Sequence, residues 1–227
     1  MKFFPLNPEI DKTLKPLMVR LWKLRDGEIR EQMERAGALY KENWGVSVVH
    51  LKNIASELQQ NQDLARRLWY REIRETMIVA TMLADVDQMS FDELDEWGKM
   101  LSASELSEQM GRNLLSDPRI TESFLIAWLE NGSPNQKHAA AMAVGWRLRF
   151  YPEAGFGSLN EVFPLLKEQI ETGKFSRAGA FVLKMAGRFS KEKRDEVLSL
   201  IHEWKQDENM YLRQVADEAR EEIELFL

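Results

Sequence analysis

The chain has 227 residues, a net charge of −6 and no cysteine. That length buries a sizeable core. The lack of cysteine excludes disulfides, thiolate metal sites and cysteine nucleophiles. The N-terminal Met1-Lys2-Phe3-Phe4-Pro5 has no long apolar stretch, and no apolar run approaches the ~20 residues of a membrane span, so the expected location is cytoplasmic.

Helical periodicity runs almost end to end. A first helix is predicted over about Ile10 to Leu24, with Pro16 inside it, and a second from Glu28 to Tyr40 after the Asp26-Gly27 break. A third follows the Trp44-Gly45 turn from Val46 to Leu58. Asn61 caps a short helix carrying Leu64, Leu68 and Trp69, and an apolar helix spans Ile73 to Leu83. Ser90 with Glu93 reads as a capping box for a helix through Leu101. Ser104 is expected to cap a helix reaching Leu115, and Asp117-Pro118 to start one running to Trp128 or Leu129. Asn131-Gly132-Ser133-Pro134 is the clearest break. Beyond it come helices over about Asn135 to Phe150, Leu159 to Glu171, Phe175 to Phe189, Lys191 to Lys205 and Asn209 to Leu225.

No segment reads as a strand. The helices recur in pairs every ~35–45 residues, the size of a HEAT-type repeat. The expected fold is all-α: an α-α superhelix, a HEAT/ARM-like solenoid of antiparallel helix pairs, forming one domain over residues 1–227. A bundle or two subdomains stay open as alternatives. A stack of this kind presents a concave surface, where binding is expected.

Motifs for phosphate-loop, dinucleotide, zincin and hydrolase chemistry are absent, and the three histidines lie far apart in sequence. Trp69, Trp97 and Trp128 fall at apolar-periodic positions and are expected in the core. Most carboxylates read as solvated faces; Glu105 and Glu108 share a short helix with Arg112. The charge map is more informative. From Lys174 to Arg194 seven basic residues face one acid, Glu192, a local charge of +6. Arg177, Lys184, Arg188 and Lys191 are spaced to form one helical stripe, which would attract phosphates in a salt-dependent way. Weaker patches are Arg66, Arg67, Arg71 and Arg74, and Lys137, His138, Arg147 and Arg149.

Five segments in order carry a family resemblance. They are Gly45-Val46 with Leu51-Lys52-x-Ile54-Ala55; Ala65-x-x-Leu68-Trp69 followed by Glu72-x-Arg74 and Leu83-Ala84-Asp85; Trp97 with Glu105-Leu106-x-Glu108-Gln109; Ser133-Pro134-Asn135 with Ala139-Ala140-Ala141; and the stretch from Phe175 to Lys191. The chain resembles the DNA alkylation repair (AlkD-like) DNA glycosylases from about Tyr40 to Lys191. The resemblance implies HEAT-like repeats around duplex DNA. It also implies metal-free, cofactor-free hydrolysis of the N-glycosidic bond of cationic N3- or N7-alkylated purines. A carboxylate near the sugar stabilises the developing oxocarbenium and positions a water, while the cationic base leaves without a general acid.

The site motif departs from the family's. The catalytic aspartate falls on Glu108, one methylene longer, which displaces the carboxylate by about 1 Å and costs up to roughly 100-fold. The family's tryptophan before it falls on Ser104, its paired arginines near His138 and Ala139, and its later tryptophan on Lys184. The expected site residues are therefore Glu108 for catalysis and Lys137, His138, Arg149, Arg177, Lys184, Arg188 and Lys191 for DNA. The expected partner is duplex DNA, bound by a monomer. The alternative is a non-catalytic helical-repeat scaffold that binds DNA or a protein.

Overall fold

A computed structural model describes residues 4–225. Among these the secondary structure is helical, and the recorded extended pairing is an isolated parallel bridge between Glu42 and Ile73. No described helix is long and apolar enough to cross a membrane. The chain divides into two compact units, residues 1–114 and 115–227.

The first unit holds α1 (Pro8–Lys23), α2 (Gly27–Arg35), α3 (Val48–Ser56), α4 (Gln62–Trp69), α5 (Arg74–Leu83), α6 (Phe91–Lys99) and α7 (Ser104–Met110). Short polar residues start most of them. Asn7, Asp26, Ser47, Asn61 and Ser90 each accept first-turn backbone N–H groups that have no partner inside their helix. α5 is buried on nearly all sides, and α3, α4 and α7 pack on it. Trp69 and Trp97 stack at 4.4 Å with planes 4° apart, both fully buried. They anchor the core as their spacing predicts.

The second unit holds α8 (Glu122–Asn131), α9 (Pro134–Phe150), α10 (Leu159–Glu171), α11 (Ser176–Phe189), α12 (Lys191–Lys205) and α13 (Met210–Glu224). Ser133 and Gln136 close a full capping box on α9. α11 is central, packed against α9, α12 and α13. Gly187 admits the Ile223 side chain of α13 to where a Cβ would lie only 2.5 Å from it.

Three boundaries differ from the sequence expectation. α2 stops at Arg35 rather than Tyr40, because Gly37 takes a left-handed conformation and Ala38 N–H closes back on the Met33 carbonyl at 3.0 Å. Ser104 does not cap α7: it is the first helical residue, after Ala103, and the helix turns π-helical over Gly111–Leu115. Asp117-Pro118 does not start α8. Asp117 instead binds the Arg119 N–H at 2.9 Å in a turn, and Thr121 caps the helix.

Candidate nucleic-acid interface

In the first unit the residues flagged on α7 divide by role. Glu105 accepts from Arg74 Nε at 2.7 Å and from the Tyr40 hydroxyl at 2.9 Å. Arg74 also donates through Nη1 to the Val46 carbonyl and to Glu75, both at 2.8 Å. Glu75 is fully buried and receives the backbone N–H groups of Trp44 and Val46 at 3.0 and 3.2 Å. Burial works against the Arg74 charge, but the hydrogen bond and charge of Glu105, with Glu75, outweigh it and raise its pKa. Burial first, then the Glu105 charge, pushes the Tyr40 phenol up. Glu105 and Arg74 thus belong to a buried structural network that ties α5 to α7 and to the segment before α3.

That corrects one basic patch. Arg66 is paired with Glu93 at 2.6 Å and Arg67 with Asp63 at 3.1 Å, while Arg74 is buried. Those three cations are answered by acids brought in by the fold. Glu108, three residues after Glu105, is partly exposed, and exposed Ser104 presents no aromatic face there. Sequence reasoning missed a feature of this region. Lys52 on α3 lies close enough to Arg112, in the π-helical turn, for burial and that like charge to hold its ammonium below the ordinary lysine pKa. Lys52 stood inside a quoted motif, but nothing local relates it to a residue sixty positions away.

In the second unit α9, α11 and the start of α12 carry the residues expected to contact DNA; Lys191 opens α12 after the Ser190 cap, so it does not continue the α11 stripe. Lys137 is partly exposed on the first turn of α9. His138 is only 8% exposed, its ring 5.8 Å from that of Phe175, so it is a packing residue in the place expected to touch phosphate. Arg147 is likewise no surface cation. It is buried and donates to the carbonyls of Leu115, Ser116, Asp117 and Ile120 at 2.8–3.2 Å. Burial lowers its pKa. Arg149 is exposed at the end of α9, its guanidinium 5.3 Å from the Trp146 ring centroid, and Trp146 stacks on the half-exposed Phe150 at 4.8 Å.

On α11, Lys184 donates to Glu218 at 2.6 Å and lies 2.9 Å from Glu222, which also holds Arg188 at 2.5 Å. α13 thus lays carboxylates along the middle of the basic stripe. Lys193 pairs with Glu196, and Arg194 donates to the Gly187 carbonyl. Lys174, Arg177 and Lys191 stay exposed.

The model of the DNA alkylation repair enzyme family matches residues 17–172. No curated protein matches the chain in sequence. The chain is similar to a solved structure from a family related to the HEAT-like repeat DNA glycosylases with affinity for branched DNA structures. The TM-score is 0.77 at 19% identity, covering 94% of each chain. At that identity the likeness shows the fold, a HEAT-like helical repeat. The family match spans most of this sequence, and by it the chain belongs to the DNA alkylation repair enzyme family.

Proposed function

We propose that this chain binds DNA through partly or fully exposed cations in both units. Lys52 and Arg112 would hold phosphate in the first; Lys137, Arg149, Arg177 and Lys191 would do so in the second. The observation that carries this reading is the exposure of Arg149, Arg177 and Lys191 on a chain of the DNA alkylation repair enzyme family. Branched DNA, which the related protein binds, is a second ligand to test beside duplex. The expected behaviour is a Kd that rises steeply with salt, log K falling by about 0.9 per neutralised phosphate against log salt. Anisotropy with a labelled duplex between low and physiological salt measures this. A flat response would remove the DNA reading.

A second reading adds catalysis at Glu108. The family resemblance puts the aspartate at this partly exposed carboxylate, four residues before Arg112. In that reaction the C1′–N bond of a cationic alkylated purine breaks and its electron pair leaves with the base, which departs neutral. A water oxygen bonds to C1′ and its proton passes to Glu108 or solvent. Lys184 and Ser104 stand where the family carries tryptophans, so fewer aromatic faces stabilise the cation. Release of N7-methylguanine or N3-methyladenine from methylated duplex, compared between wild type and Glu108→Gln, decides it. Release lost in the variant supports the enzyme. No release from either protein, with protein in excess over lesion, leaves a DNA-binding repeat protein.

A further inference from the structure

A cavity of about 640 Å³ opens in the first unit where α1 meets α2, and neither Glu108 nor Lys52 lines it. Trp22, Lys23, Arg25, Arg30, Glu42 and Trp44 line it. Its walls are fixed by contacts between segments far apart in sequence. Asp26 caps α2 and donates its N–H to the Trp44 carbonyl at 2.8 Å. Gly45 has a φ of +75°, and a Cβ there would sit 2.0 Å from the Asp26 carbonyl oxygen, so the two segments meet backbone to backbone. From the other side, Glu75 holds the Trp44 N–H. The Trp44 indole therefore has a fixed place.

The chemistry of the lining is specific. Trp22 is 48% exposed, an unusual state for the largest apolar side chain, and meets Trp44 edge-on at 5.4 Å and 84°. The Arg25 guanidinium covers the Trp22 ring at 3.1 Å from its centroid. Lys23 and Arg30 are exposed, Arg30 sharing Glu34 at 3.5 Å. Of the lining side chains Glu42 carries the one negative charge, and its carboxylate accepts the Trp44 Nε1–H at 2.6 Å. Three cations against one acid disfavour a cationic ligand. The half-exposed Trp22 indole disfavours a bare anion as the whole ligand, because drawing Arg25 onto the anion would leave the apolar ring wet. An aromatic group bearing a phosphate satisfies both halves.

We propose that this pocket takes one unpaired nucleotide of DNA, the base stacked on Trp22 and its phosphate on Lys23 and Arg25. The proposal rests on the DNA-binding reading and adds a strand-selective site to it. Arg25 already stacks on the ring that a base would use, so it trades the indole for the phosphate when the nucleotide enters.

The test compares a fluorescein-labelled oligothymidylate with a blunt duplex, by anisotropy, on the full chain. Trp22→Ala is expected to weaken oligothymidylate binding about tenfold, with duplex affinity changed less than about twofold. Lys23→Glu is expected to do the same. It leaves both indoles in place, so it decides the matter if thermal melting shows Trp22→Ala to be destabilised. Oligothymidylate affinity unchanged in Lys23→Glu, or a duplex that binds while oligothymidylate does not, overturns the pocket and leaves the DNA reading standing. Failure of both DNAs to bind overturns both.

Discussion

Lys184 on α11 and Glu222 on α13 form an ion pair at 2.9 Å, and the same carboxylate holds Arg188. Thirty-odd residues of intervening chain bring an acidic helix onto a basic one, so the stripe that the sequence displays is partly neutralised in the fold. Replacing Glu218 and Glu222 by glutamine removes that neutralisation. Duplex affinity is then expected to rise, and the salt dependence to steepen by about 0.9 for each cation that reaches a phosphate. Unchanged slope and affinity in the double variant would place α11 outside the DNA contact.

The same pair makes a pH prediction. Hydrogen bonding to Lys184 holds the Glu222 carboxyl below the usual carboxylate range, with burial opposing. In acid the native state then binds fewer protons than the unfolded one, so stability rises with pH there. The contribution is present above the ordinary glutamate pKa and is lost as pH falls through the lowered folded value. Acid titration followed by NMR should show α11 and α13 signals responding together, and Glu222→Gln should abolish the coupling.

Arg74→Met should destabilise the first unit by about 3–5 kcal/mol, since it strands Glu75 as a buried charge. Urea denaturation measures it. Converting Glu75 to Gln at the same time should recover part of the loss. Full additivity of the two substitutions would contradict the network described above.

Gly45→Ala should fail for two reasons that act together: a left-handed backbone, and a Cβ 2.0 Å from the Asp26 carbonyl oxygen. A loss of at least about 2 kcal/mol is expected, seen as a lower urea midpoint. Gly27→Ala, where nothing lies within 4 Å of the added Cβ, is the control and should be close to neutral.

Much of the helical layout was legible because helix starts are local. Asn61, Ser90, Ser133 and Asn209 satisfy N–H groups two or three residues away, and a reader of sequence sees both partners at once. The misreadings at Ser104 and Asp117 share a cause. Both residues have the right chemistry for a cap, but Ser104 falls one position late, and Asp117 spends its carboxylate on Arg119. Charge was harder to read. Arg74 and Glu105 are thirty-one positions apart, and no periodicity foretells their meeting. Arg147 was grouped with Arg149 by nearness in sequence, but residues two apart on a helix point to nearly opposite sides, so Arg149 meets solvent and Arg147 the core. The position of Glu108 came from family resemblance alone, since a single carboxylate on a short helix has no signature of its own. The α1–α2 pocket was invisible because Trp22 and Trp44 lie on separate segments joined through a backbone contact at Asp26.

Arg147 gathers carbonyls from residues 115 to 120, a stretch that makes few regular hydrogen bonds of its own. A side chain here does what a helix does elsewhere, completing backbone groups, but it is rooted on α9. Beyond the local turn at Asp117, that stretch gains these ties only when α9 is in place. Its amides should exchange with solvent on the schedule of α9, and a folding intermediate lacking α9 should be cut by proteases at these residues first.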